Sequence, residues 1–125
     1  MFYIPYYGGL DVMRWNFREN ISNEKRDELS LELVNWLQGQ PWWGRYEGRD
    51  HVLVLGKISW DFRRSKENEQ WGSNLLHLPQ MKSVTKLLIE RHPWIMNEIG
   101  VPHPTIFHPQ SDEDILQWQW QIRTV

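Results

Sequence analysis

The chain has 125 residues, with Lys+Arg 14 against Asp+Glu 16 and a formal net charge of -2. At 40% hydrophobic and 24% charged it has the composition of one folded domain or part of a larger one, which excludes disorder as the default. The near-neutral charge, with no run of Lys or Arg, excludes the positive field that a nucleic-acid backbone requires, and a cysteine count of 0 excludes thiol catalysis, disulfides and Cys-ligated zinc.

In chain order, Phe2-Tyr3-Ile4-Pro5-Tyr6-Tyr7 is short, aromatic and β-favouring and runs into Gly8-Gly9, which predicts a strand and then a turn. Asn23 stands as the cap of a helix in which Leu29, Leu33, Trp36 and Leu37 recur at helical spacing and form the core face. Gly39, in a left-handed conformation, and Pro41 stop that helix. After a loop from Trp42 to Asp50, the unbroken apolar run Val52-Leu53-Val54-Leu55 predicts a strand of a parallel sheet covered on both faces. Strand, helix and buried strand make a βαβ unit. Arg63 to Gln70 is polar, Leu75 to Pro79 is an apolar segment of open type, and Val84 to Glu90 predicts a further strand. Pro102 and Pro104 confine Val101 to Phe107 to an edge or an extended loop. Ser111-Asp112-Glu113-Asp114 opens a last helix with acid at its positive end. The apolar start at Phe2 and the helix still running at Gln121-Ile122-Arg123 suggest part of a longer protein. There is no membrane-span-length apolar run and no signal peptide, so the segment itself reads as soluble.

Trp 9 is the unusual count. Aromatic faces stack on the C–H faces of sugar rings, so they raise carbohydrate contact as a use, with packing as the other use. Trp42, Trp43, Trp60, Trp71 and Trp94 fall in loops. In an open parallel sheet, ligands bind at the carboxyl ends of strands. That rule gathers Gly8, Gly9 and Asp11, then Trp60, Asp61, Arg63 and Arg64, then Glu90, Arg91 and His92, and finally His108 along one edge. Asp61 with Arg63 and Arg64 reads equally as a local ion network. Glu90 is either solvated at the rim or held by a cation, and His51 at the start of the buried strand suits a satisfied core-edge histidine. His103 and His108 match no metal-ligand spacing, and Gly8-Gly9 matches no phosphate-cradling motif. The absence of a Gly-x-Ser-x-Gly elbow disfavours a hydrolase-like fragment.

The strings Phe2 to Asp11, Asp50-His51-Val52-Leu53-Val54-Leu55-Gly56 with Trp60-Asp61-Phe62-Arg63-Arg64, Trp71 to Leu76, Pro93-Trp94, and Val101 to Pro109 occur in the order found in a known family. Together they resemble the exostosin-type glycosyltransferases of glycosyltransferase family 47, and within it the plant branch that includes xyloglucan galactosyltransferases. The resemblance spans nearly the whole chain. It departs locally at Gly8, where the family more often has Ala, and at His103, where it more often has an aromatic residue.

The resemblance implies one Rossmann-like half of a two-domain (GT-B type) α/β transferase, a parallel sheet with flanking helices. Residues 1–125 would be mostly the acceptor-side half, with the nucleotide-sugar domain and the membrane anchor absent from it. The implied reaction is inverting transfer of a sugar, galactose from UDP-galactose, onto a cell-wall polysaccharide such as xyloglucan. The nucleotide sugar is a co-substrate, and neither a further cofactor nor a metal is called for. The implied setting is the Golgi membrane, as a single-pass type II protein, with other glycosyltransferases as partners in complexes. An inverting transfer needs a base for the acceptor hydroxyl and positive charge for the leaving diphosphate. Asp61 is the first candidate base, with Glu90 and His51 behind it. Arg63 and Arg64 would orient that carboxylate or reach the phosphates, Trp60 and Trp94 would stack on the glucan, and Asp11 and His108 would complete the substrate-binding set. The alternative is a carbohydrate-binding or partner-assembly module without turnover. Either way, the missing half predicts exposed Trp and marginal stability.

Overall fold

Four short strands, β1 (Phe2–Ile4), β2 (His51–Leu55), β3 (Thr85–Leu88) and β4 (Glu98–Gly100), pair in the order β1-β2-β3-β4, and every pairing is parallel. They belong to a computed structural model that describes residues 1–102 and 107–124. Between β1 and β2 lie helices α1 (Gly8–Met13), α2 (Asn23–Gln38) and α3 (Trp43–Tyr46). Three 3-10 turns, Ser59–Phe62, Leu75–His77 and Pro79–Met81, join β2 to β3, and α4 (Asp112–Thr124) follows β4. The predicted α/β class, the parallel pairing and the interior position of Val52 to Leu55 are all present.

Each connection steps one strand in the same direction. With right-handed crossovers such a chain lays all its connections over one face of the sheet. The registers show the result. Ile4, Leu53, Lys86 and Glu98 form one buried row and Leu55 and Leu88 the next, which ends at exposed Gly100, beneath Val34 and Leu37 of α2 and Phe62, Leu75 and Met81 of the turns. The opposite face carries Tyr3, Val52 and Thr85, then Val54, Leu87 and Ile99, and Tyr3, Val54 and Ile99 are exposed. The expectation that β2 is covered on both faces therefore holds for one face only.

Other expectations are corrected locally. Gly8-Gly9 opens α1 instead of making only a turn, because a Cβ at Gly8 would lie 2.7 Å from Leu55 Cδ2 and 2.9 Å from Phe62 Cε1, and glycine lets the helix close against both. Ser22, not Asn23, caps α2 by accepting from the Lys25 N–H at 3.2 Å, while Asn23 Nδ2 donates to the carbonyls of Glu67 and Glu69. Gly39 ends α2 at φ -76, in the right-handed region. Trp36 is 52% exposed, because the buried stripe of α2 is Asp27, Ser30, Val34 and Leu37, one step around the helix from the apolar stripe. The fourth strand is Glu98–Gly100, just before the proline segment. Val101 and Pro102 have no regular structure, and His103, in that segment, lies outside the described residues. The acidic start of α4 is as expected, and its Ser111 and Asp114 cap each other: the Asp114 N–H donates to Ser111 Oγ and the Ser111 N–H to Asp114 Oδ2.

Candidate functional site

The carboxyl end of β2 is where the chain leaves the sheet with polar side chains. Leu55 gives way to Gly56 and Lys57, and the 3-10 turn Ser59–Phe62 buries Phe62 in the core while turning Trp60 outward. Within that turn Asp61 Oδ2 pairs with Lys57 Nζ at 2.8 Å. Among the described residues, Asp61 Oδ1 has no hydrogen-bond partner, which leaves one carboxylate oxygen open to a ligand.

Two devices fix the turn. Ser59 Oγ donates to the carbonyl of Glu90 at 2.7 Å, clipping the loop after β2 to the loop after β3. The segment 71–73 then runs along the turn, with the Ser73 N–H donating to Asp61 O at 2.7 Å and the Arg64 N–H to Ser73 O at 3.0 Å. Gly72 makes this approach possible: its φ is +46, and a Cβ there would fall 2.2 Å from Asp61 O. The same approach stacks Trp60 on Trp71, with ring centroids 5.3 Å apart and planes 9° apart. Trp60 is still 63% exposed, so one aromatic plane faces outward beside Asp61.

Charged residues below the turn are bound into the fold. Arg63 grips Glu98 with two bonds, Nη1 to Oε1 at 3.0 Å and Nη2 to Oε2 at 2.8 Å. Glu98 is 1% exposed and its Oε2 also accepts the His92 N–H at 2.6 Å. Burial works to raise the Glu98 pKa, but the Arg63 guanidinium, the His92 N–H and nearby Lys86 outweigh it and hold the carboxyl below its ordinary value. Lys86, paired in register with Glu98, donates to the Met81 carbonyl at 2.7 Å, and its burial pushes its pKa down. Arg64 is buried, pairs with Asp27 and donates to the carbonyls of Trp71 and Gly72 at 3.0 and 3.3 Å. Asp11 is buried in the first turn of α1, where it accepts from Tyr6 Oη and from Arg14 Nη2 at 2.5 Å. Tyr6 Oη lies 3.3 Å from Ser30 Oγ, itself 3.1 Å from Ser73 Oγ. Burial first, and then its bond to Asp11, push the Tyr6 phenol well above its ordinary range.

The sequence-predicted residues thus divide. Asp61, Trp60 and exposed Glu90 share neighbouring loops at the carboxyl edge. Arg63, Arg64 and Asp11 lie behind that edge with internal partners. Trp94 is exposed on the return loop between β3 and β4, and exposed His108 lies beside α4. His51 does not join them. It opens β2 at the amino edge, roughly 13 Å down the strand from Leu55 at about 3.3 Å per residue. It is 2% exposed, packed between Phe2 and Trp43, with Nδ1 2.9 Å from Asp50 Oδ1. Sequence reasoning missed Lys57, Trp71 as the partner of Trp60, and Glu98. Only Lys57, at i-4 from Asp61, carried a readable signal.

The description "Exostosin GT47 domain" matches residues 1–125. Curated relatives from Arabidopsis thaliana include one named as a probable xyloglucan galactosyltransferase, 53% identical over 98% of this chain and 21% of its own length. A xyloglucan-specific galacturonosyltransferase is 54% identical over 98% of this chain and 18% of its own length. A xyloglucan galactosyltransferase is 45% identical over 98% of this chain and 20% of its own length. The chain therefore spans about a fifth of the length of the curated relatives it matches. No solved structure matches it. Among the described residues, no helix is long and apolar enough to cross a membrane.

Proposed function

We infer the function from one premise: the chain belongs to the exostosin GT47 family. It forms the acceptor-side half of a GT-B type, inverting glycosyltransferase that moves galactose from UDP-galactose onto xyloglucan, the acceptor named in all three relatives above. Galacturonic acid is the second donor sugar to test, because one of those relatives is named for it. The whole enzyme works at the Golgi membrane as a single-pass type II protein, through an anchor outside this segment, and in contact with other glycosyltransferases.

The observation that carries this reading is the Lys57–Asp61 pair at the carboxyl end of β2, 2.8 Å long and beside the exposed plane of Trp60. An acceptor hydroxyl donates to Asp61 Oδ1. As its oxygen attacks the anomeric carbon, its proton passes to that carboxylate, and the bond to the diphosphate oxygen breaks on the opposite face, inverting the centre. Lys57 steadies the carboxylate before the transfer. Trp60 stacks on a glucan ring, with Trp94 and His108 as further contacts. Glu90 is the second candidate base. Arg63, Arg64 and Asp11 act as positioning residues, since their side chains already have partners inside the fold. The cations that meet the leaving diphosphate then belong to the nucleotide-sugar half.

The test uses the complete polypeptide that carries this segment, with xyloglucan acceptor and a panel of UDP-sugars. Asp61→Asn is expected to lower kcat roughly 10²- to 10⁴-fold, the span of a lost general base, with an unchanged melting temperature. Near-normal turnover would remove Asp61 from the role. A flat response of the unaltered enzyme to every donor would remove the transferase reading and favour a glucan-binding module without turnover.

A further inference from the structure

A cleft that includes Lys57 opens between the end of β2 and α1. Its volume is about 460 Å³, within the range of small-ligand sites. Tyr3, Tyr7, Leu10, Met13, Val54 and Lys57 line it, together with Gly9 and Gly56. Tyr7 is 76% exposed, and among the described residues neither the Tyr3 nor the Tyr7 hydroxyl has a hydrogen-bond partner. The two glycines keep the space clear. A Cβ at Gly56 would meet nothing within 4 Å, and one at Gly9 would lie 3.5 Å from Lys57 Cβ.

These features match a neutral sugar chain better than an ionic or purely apolar ligand. The one charged lining residue, Lys57, is neutralised by Asp61, so the cleft carries no charge to recognise. Two exposed phenol rings offer apolar faces with a donor and acceptor at each tip, as a sugar ring with C–H faces and equatorial hydroxyls requires. Because Lys57 belongs to both the cleft and the proposed base, a ring held here is continuous with one whose hydroxyl reaches Asp61. We propose that this cleft is a glucan subsite, which binds a backbone glucosyl residue of the acceptor next to the residue that receives the sugar. The proposal rests on the transferase reading for its position in the reaction, but binding at the cleft is measurable by itself.

The test substitutes Gly9→Leu and, separately, Tyr7→Ala in the complete polypeptide. Gly44→Leu serves as control, on α3 where a Cβ meets nothing within 4 Å. Two readouts are taken: calorimetric binding of a xyloglucan oligosaccharide with a cellotetraosyl backbone in the presence of UDP, and KM for that acceptor against KM for UDP-galactose. The expected result is an oligosaccharide Kd raised about tenfold by either cleft variant. The acceptor KM follows it, KM for UDP-galactose stays within twofold, and the control stays at the unaltered value. Transfer that proceeds with acceptor Kd and KM unchanged in both cleft variants would overturn the subsite and leave the transferase reading standing. Binding weakened by the variants in a protein that transfers no sugar would uphold the subsite and overturn the transferase reading.

Discussion

The two edges of the sheet use the same residue types to opposite ends. At the amino edge Trp43 and His51 turn their rings inward, 5.0 Å apart, with the partly exposed Phe2 ring 5.1 Å from His51 and Asp50 as the hydrogen-bond partner of the histidine. At the carboxyl edge Trp60 and Trp71 stack with one plane turned outward, and Asp61 sits among polar groups with one oxygen open. Both edges hold aromatic rings and an acid. The difference comes from strand direction: parallel strands send their carboxyl ends into variable loops, while their amino ends receive chain returning from the covering layer. The amino edge is held by ring packing, and the carboxyl edge by ion pairs and hydrogen bonds aimed at particular atoms.

The largest effect expected from breaking this contrast lies under the carboxyl edge. Arg63→Ala leaves Glu98 buried without its guanidinium, and loss of one partner of such a pair costs about 3–5 kcal/mol, read as a lowered urea midpoint. Replacing Glu98 by Leu in the same protein should recover part of the loss, since the stranded charge is then gone. The pair also sets a pH limit. The folded Glu98 carboxyl sits below its ordinary value, so its stabilisation is present above the unfolded-state pKa of 4.5 and is lost as pH falls through the folded value. Urea midpoints measured from pH 6 down to pH 3 should fall with a steeper slope in the unaltered chain than in the Arg63→Ala, Glu98→Leu double variant.

Next in size is Gly72→Ala. The new Cβ meets Asp61 O at 2.2 Å and the residue must keep a positive φ, so a loss of about 2–3 kcal/mol is expected from strain and the lost Ser73–Asp61 bond. Turnover should fall more than stability predicts, because the displaced backbone is that of Asp61. His51→Ala at the other edge is the counterpart. Removing the ring from between Phe2 and Trp43 should cost about 2–3 kcal/mol, yet kcat measured well below the melting point should stay within twofold. A large fall in kcat there would erase the distinction between the edges.

How legible the molecule was in its sequence follows the same division. The strands from Phe2, Val52 and Val84 and the last helix were readable because apolar runs and acidic caps are local signals. The buried face of α2 was not, because half of it is polar. Asp27 and Ser30 are inside only because Arg64 and the Tyr6 and Ser73 hydroxyls meet them there, and apolar periodicity pointed instead to Trp36. β4 was hidden for a similar reason. Three residues pair with β3 alone, and Glu98, the buried anchor among them, reads as a surface residue until Arg63, 35 positions away, is brought to it. Asp61 and Trp60 were legible through the strand-end rule. His51 stood beside them as a candidate only because that rule was not applied to which end of β2 it occupies.

The smallest stability effect, and the sharpest test of the contrast, is Trp60→Ala. The stacked pair with Trp71 contributes roughly 0.5–1.5 kcal/mol, and Trp60 is mostly exposed, so little burial is lost with it. Its amino-edge counterpart, Trp43→Ala, removes a ring that packs on His51 and against Gly48, and should cost about 3–5 kcal/mol. If outward rings serve the acceptor and inward rings serve the fold, Trp60→Ala should raise the xyloglucan KM severalfold at nearly full stability. Trp43→Ala should lower stability and leave that KM unchanged in the fraction still folded. Equal stability losses from the two substitutions would mean that the carboxyl-edge pair is packing, and Asp61 would then need another surface to hold the glucan in place.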